Sequence, residues 1–145
     1  MIRQVSAFIQ NREGKLATML KVLGDADVNI RSLTIAETAD YGVVRLILQD
    51  TDKGMAALHD NHIMANETQV VAAEICDRPG GMSDLVEKLT AGKINIEYAY
   101  SFLPKNTSNA VIIFKVRDED IARVQELLAP EDYINLLTRD ELLMR

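Results

Sequence analysis

The chain has 145 residues, 48% hydrophobic and 26% charged, with 16 basic against 22 acidic side chains and a formal charge of −6 at pH 7. This is the composition of a soluble globular chain with enough apolar matter for a core, and the acidic balance opposes any wide surface for phosphate backbones, so nucleic acid is not expected as a partner. The single cysteine, Cys76, excludes an intrachain disulfide and a cysteine-rich metal site. The opening stretch is apolar only from Val5 to Ile9, too short for a signal segment or a membrane span, which sets the expectation of a cytoplasmic protein.

In chain order, Arg3 to Ile9 alternates with apolar residues at Val5, Ala7 and Ile9, the period of a strand with one buried face. A turn through Asn11 and Gly14 leads to a predicted helix from Gly14 to Leu23. There Leu16, Met19, Leu20 and Leu23 keep the i, i+3, i+4, i+7 spacing, and Gly24 is the expected stop. Val28 to about Ala36 reads as a second strand, Asp40-Tyr41-Gly42 as a tight turn and Val43 to Gln49 as a third strand. Asp52 to Asp60 reads as a helix opening on acid, which suits its positive end, and Ile63 to Asn66 as a short fourth strand.

The same order then begins again. Val70 to Cys76 alternates at Val71, Ala73 and Ile75, and Met82, Leu85, Val86 and Leu89 repeat the helical stripe in a predicted helix from Gly81 to Ala91, stopped by Gly92. Ile94 to about Phe102, Ala110 to Val116, Asp118 to Leu128 and Tyr133 to Leu137 complete the second set, with a longer connection from Pro104 to Asn109. Leu16 and Met82 stand 66 residues apart, and that offset, without a gap, also carries Gly14 onto Gly80, Asn29 onto Asn95, Ile30 onto Ile96 and Val44, Leu46 and Leu48 onto Ala110, Ile112 and Phe114. A register kept across helix, strand and turn marks a duplication.

The reading is therefore two βαββαβ modules, residues 1–67 and 68–145, each an antiparallel sheet of the α+β, ferredoxin-like kind with its helices on one face. Almost no linker precedes Val70, so the modules are expected to be tightly coupled and can share one continuous strand. Val43 and Ile47, with Val111 and Ile113, have the parity opposite to the helix-facing set. Apolar residues on both faces predict that another sheet covers the open one, supplied by a second chain in a homodimer.

Two turns carry the candidate chemistry: Asn11-Arg12-Glu13-Gly14-Lys15-Leu16 and Asp77-Arg78-Pro79-Gly80-Gly81-Met82. Glycine at a helix start lets a ligand approach the backbone, and the free N–H groups of the first turn suit a carboxylate. The same glycine serves equally to relieve a strained turn. Asn29 and Asn95 each sit inside an apolar run, Val28-Asn29-Ile30 and Ile94-Asn95-Ile96, where an amide needs a partner. That partner is either neighbouring backbone at a strand entry or the ammonium and carboxylate of an α-amino acid.

Glycine at the turn, the Leu-x-x-Met-Leu-x-x-Leu helix and then Val-Asn-Ile, in this order, resemble the ACT domain, and the duplication of that order across nearly the whole chain is similar to small stand-alone tandem ACT proteins. The resemblance implies an amino acid or related small effector bound where two modules abut, a regulated enzyme as partner, and no catalysis, cofactor or metal in the chain itself. Carried over residue by residue, it implies one site made by Asn11, Gly14, Lys15 and Leu16 with Asn95 from the other copy, and a second made by Asp77, Gly80, Gly81 and Met82 with Asn29. Asp77, acceptor-only when ionised, replaces an amide and should prefer an ammonium. Some ACT sites have a histidine two residues before the turn asparagine. Here Ile9 and Ile75 stand there, which favours a more apolar ligand side chain.

Other residues read as structural. His59 and His62 are too few for a metal site and suit a helix end. Arg45, alone in an apolar strand, is expected to pair with a carboxylate, and Asp118-Glu119-Asp120 to be a solvated helix start. Tyr98, Tyr100 and Phe102 read as core or interface aromatics. Two rival functions stay open: a small acyl-phosphate hydrolase using Arg12 or Arg78 with an asparagine, and a purely structural dimerisation module.

Overall fold

The computed structural model describes all 145 residues. In chain order the elements are β1 (Ile2–Gln10), α1 (Lys15–Asp25), β2 (Ile30–Glu37), β3 (Tyr41–Leu48), α2 (Thr51–Asp60) and β4 (Met64–Cys76). There follow α3 (Gly81–Ala91), β5 (Tyr98–Phe102), β6 (Asn109–Lys115), a 3-10 turn (Asp118–Asp120), α4 (Ile121–Leu128), β7 (Ile134–Leu136) and α5 (Arg139–Leu143).

The chain divides into two compact units, one of residues Arg3–Thr68 and one of Gln69–Arg145 with Met1–Ile2. In the first, the strand order is β4-β1-β3-β2, with β1 and β2 both antiparallel to β3. Its core is one cluster of Val5, Ala7, Val44, Leu46 and Leu48 from the sheet against Met19 and Leu23 of α1 and Leu58 of α2. In the second, β7, β4, β6 and β5 pair in that order, all antiparallel. Val71, Ala73, Ile75, Ile112 and Phe114 there meet Leu85 and Leu89 of α3 and Ile121, Val124 and Leu128 of α4. Each unit is thus a ferredoxin-like α+β module with both helices on one sheet face, because the alternate strand residues are apolar and the helical stripes have only that face to bury against.

Strand β4 is continuous for 13 residues, so the fourth strand of one copy runs into the first strand of the next with no linker. Within the first unit Arg3 bonds both Asp52 at the start of α2 (2.6 Å) and Glu67 in β4 (2.5 Å).

Helix α1 runs past its expected end, whereas α3 stops at Ala91 as expected. Gly24 lies inside α1, and Gly92 is the C-cap of α3 with φ −82°. The left-handed residue that ends each helix is not glycine: it is Asp27 (φ 58°), His62 (φ 59°) and Lys93 (φ 61°) after α1, α2 and α3. In each case the next N–H reaches back five residues, Val28 to Leu23, Ile63 to Leu58 and Ile94 to Leu89, at 2.9–3.0 Å. That is the Schellman closure with its apolar clasp, and it forces a left-handed residue whatever its side chain. Asp27 and Lys93 keep the 66-residue offset, so the duplication is visible in the dihedral angles as well as in the letters.

Much of the face away from the helices is also covered. Val111, Ile113 and Ile47 are buried within a single chain, and only Val43 of that set is half-exposed. The apolar parity was read correctly, but a second chain is not needed to cover these residues. Arg45 lies half-buried on the same face, opposite Ser6 of β1 and Thr34 of β2.

Candidate functional site

The two turns repeat each other bond for bond. In the first, the Arg12 N–H donates to the Gln10 carbonyl (2.9 Å), Lys15 to Arg12 (3.3 Å) and Thr18 to Gly14 (3.0 Å). In the second, Arg78 donates to Cys76 (3.1 Å), Gly81 to Arg78 (3.0 Å) and Asp84 to Gly80 (2.9 Å). Gly14 and Gly80 are the helix N-caps at φ 82° and 85°, the left-handed region that glycine enters without steric cost, and neither helix has a side-chain cap. Lys15 and Thr18, like Gly81 and Asp84, use their N–H groups inside the turn, which leaves those of Leu16 and Ala17, and of Met82 and Ser83, as the orphan donors of each first turn.

The copies part at the residue after the capping glycine. A Cβ on Gly81 would come within 2.4 Å of the Cys76 carbonyl oxygen, so the second turn is closed too tightly for any side chain there. Its counterpart in the first copy, Lys15, sits half-buried.

Asn11 and Asp77 are both exposed, and their chemistry is closer than their names suggest. The Asn11 side-chain Nδ2 donates to the Thr38 carbonyl (3.1 Å) and its backbone N–H to that of Asp40 (2.9 Å), so the residue staples the β2–β3 turn. The Thr38 hydroxyl accepts from the Tyr41 N–H within that turn (3.1 Å). With one of its two amide hydrogens committed, Asn11 offers its Oδ1 as an acceptor, as the Asp77 carboxylate does, and keeps one N–H that Asp77 lacks. Both turns therefore present an acceptor beside free backbone donors, the complement of an ammonium beside a carboxylate.

The spaces beside the turns are unlike. Gln10, Asn11, Arg12, Ala39, Asp40 and Tyr41 line a polar hollow of about 260 Å³. Along α3, Met82, Ser83, Val86, Glu87, Thr90 and Ala91 line an open, apolar groove of about 630 Å³, with Met82 46% and Val86 38% exposed. Leu16 and Leu20, their counterparts on α1, are half-buried against the first core.

Asn29 and Asn95 do not interrupt strands. Each is exposed and lies ahead of its strand, since β2 begins at Ile30 and β5 at Tyr98. The Asn29 carbonyl accepts from the Gln49 N–H (2.9 Å). The Schellman closures take up the residues expected to open these strands, so neither amide is driven to find a partner inside a sheet. In each unit the asparagine stands at the far end of the helix from its own turn, about 16 Å away along 11 residues at 1.5 Å each. No unit brings its own turn and its own asparagine together.

Elsewhere, His59 Nε2 lies 3.2 Å from the Ala65 carbonyl oxygen, and Asp118 and Asp120 are paired with Lys115 and Arg117. Cys76 is the last, exposed residue of β4. Arg78 is held by Asp84 and by the Pro79 carbonyl. An acid not singled out from the sequence, Glu74, is buried in β4 and accepts from Asn109 Nδ2 (2.9 Å) and Arg145 Nε (2.5 Å). Burial pushes its carboxyl pKa up, but the bonds from Asn109 and Arg145 outweigh that and hold it below the ordinary value. A charged residue among Ala72, Ala73 and Ile75 was the signal for it.

The class that the fold defines is a pair of ferredoxin-like α+β modules whose strand-to-helix turns expose glycine and backbone donors. The family model described as an ACT domain pair matches residues 1–143, and the chain belongs to that family. A protein of Bacteroides thetaiotaomicron is 33% identical over 99% of this chain and 96% of its own, with a TM-score of 0.89. Regulatory subunits of aspartate kinase from Thermus thermophilus and Thermus flavus superpose with TM-scores of 0.65 and 0.61 at 11% and 12% identity. Each covers 88% of this chain, and 91% and 90% of its own, a likeness of fold. No curated protein matches the chain.

Proposed function

We propose that this ACT domain pair is a non-catalytic sensory or regulatory protein of the cytoplasm that binds a free amino acid or a closely related effector at its strand-to-helix turns and acts on an enzyme partner. The observation that carries the reading is the repeated turn, in which a left-handed glycine, two orphan N–H groups and one side-chain acceptor are built twice with the same bonds. The ligand-binding residues of the proposal are Asn11, Gly14, Lys15 and Leu16 in one turn and Asp77, Gly80, Gly81 and Met82 in the other, with Asn95 and Asn29 as the asparagines that the resemblance assigns to them. The fold neighbours from Thermus, which are regulatory subunits, support a regulatory role.

Arg78 has its guanidinium engaged by Asp84 and Pro79, which speaks against its use as a hydrolase arginine. No turnover of an acyl phosphate is expected. A homodimer is part of the proposal, supported now by the exposed Met82 and Val86 on α3 and no longer by strand β6; sedimentation as a monomer at micromolar concentration removes it. The test of the ligand reading is thermal unfolding with each of the twenty L-amino acids. A ligand at 100 times its dissociation constant adds about 2.7 kcal/mol, and a chain whose melting none of them raises is not an amino-acid sensor.

A further inference from the structure

Strand β2 is the edge of the first unit's sheet, and its ladder with β3 shifts register between Ile30, opposite Leu48, and Ser32, opposite Ile47. Arg31 is the residue that the shift leaves without an opposite number, and a bulge of this kind re-aims a side chain. The Arg31 side chain is half-buried, and its Nε is fully buried with no hydrogen-bond partner. A guanidinium is always charged and presents its donors in a planar fork that fits a carboxylate. A buried donor with no acceptor is a cost that native proteins rarely leave standing, and an arriving carboxylate removes it. Arg45, the other arginine with a buried orphan Nε, has an interaction of its own and is a different case.

The duplication supplies a control. Arg31 follows Asn29 by two residues, and the 66-residue offset that carries Asn29 onto Asn95 and Ile30 onto Ile96 carries Arg31 onto Glu97. Glu97 is exposed, and its backbone N–H bonds the Lys115 carbonyl (2.9 Å). Directly after the shared Asn-Ile pair, the charge is reversed.

We propose that Arg31 is a carboxylate-binding residue that fixes a small ligand by its anionic group, and that the copy carrying Glu97 lacks this capacity, so the two copies are unequal in ligand charge. This rests on the reading of the chain as an amino-acid binder. The test is calorimetric titration of wild type, Arg31→Met and Arg31→Gln with the L-amino acid that most raises the melting temperature, and with its α-carboxamide. Wild type binds the acid more tightly than the amide, and both variants lose about tenfold or more in affinity for the acid, the scale of one charged hydrogen-bonding pair, together with the preference over the amide. Without ligand, Arg31→Met melts above wild type, because the stem still packs and the orphan donor is gone. A folded variant that keeps wild-type affinity, or an Arg31→Met protein that melts lower without ligand, overturns the role of Arg31 and leaves the amino-acid reading standing. No binding of any amino acid to wild type overturns both.

Discussion

Three positions, Asp27, His62 and Lys93, hold left-handed backbone with side chains that disfavour it. The left-handed conformation costs a non-glycine residue roughly 1–2 kcal/mol, partly offset by the greater unfolded-state freedom of glycine. Lys93→Gly is therefore expected to raise stability by about 0.5–1 kcal/mol in urea unfolding, and a loss of stability would show that the lysine side chain contributes something the closure does not explain. These residues explain why α1 runs past Gly24, the usual stop letter: the closure is set by Val28 clasping Leu23, as Ile94 clasps Leu89 after α3, a pattern of apolar spacing rather than of glycine. Glu74 makes a second prediction at this scale. Its pKa is depressed in the fold, so its contribution is full above the ordinary carboxylate value of 4.5 and is lost as pH falls through the lowered one. Glu74→Gln should cost about 1–3 kcal/mol at neutral pH and flatten the fall in stability that denaturant titration follows as pH drops below 4.5. An acid limb identical to wild type would mean that the carboxylate contributes nothing.

At the scale of elements, the strands and the four principal helices are legible from periodicity, since alternation and the i, i+3, i+4 stripe each have a single face to satisfy. Helix α3 falls on its predicted bounds, Gly81–Ala91, and β4 fuses the two expected strands. Helix α5 escapes that reading because five residues are too few for a stripe, although Thr138 and Glu141 spell the reciprocal capping box that starts it. The link between Asn11 and the β2–β3 turn lay beyond reach for another reason: it joins residues 27 apart in sequence, and only the β1–β3 ladder brings them together. Removing that staple with Asn11→Ala is expected to cost about 0.5–1.5 kcal/mol and to speed amide exchange in residues 38–41 while leaving the second unit's exchange unchanged. Unaltered exchange in that turn would return Asn11 to a purely ligand-facing role.

For the whole molecule, the duplication is what made the fold readable, and the offset of 66 residues survives into hydrogen bonds, dihedral angles and cores. The candidate site was legible only as two turns. Where the asparagines stand, and that Arg31 carries an orphan donor, depended on helix closure and a β-bulge, which leave no periodic trace in the letters. The central claim is that the orphan N–H groups of the two helix starts receive the ligand, and a two-dimensional amide NMR titration with the amino acid that most raises the melting temperature tests it most directly. The largest shifts should fall on Leu16 and Ala17, on Met82 and Ser83, or on both pairs. Shifts confined to other parts of the chain, with these four amides unmoved at saturation, would contradict it.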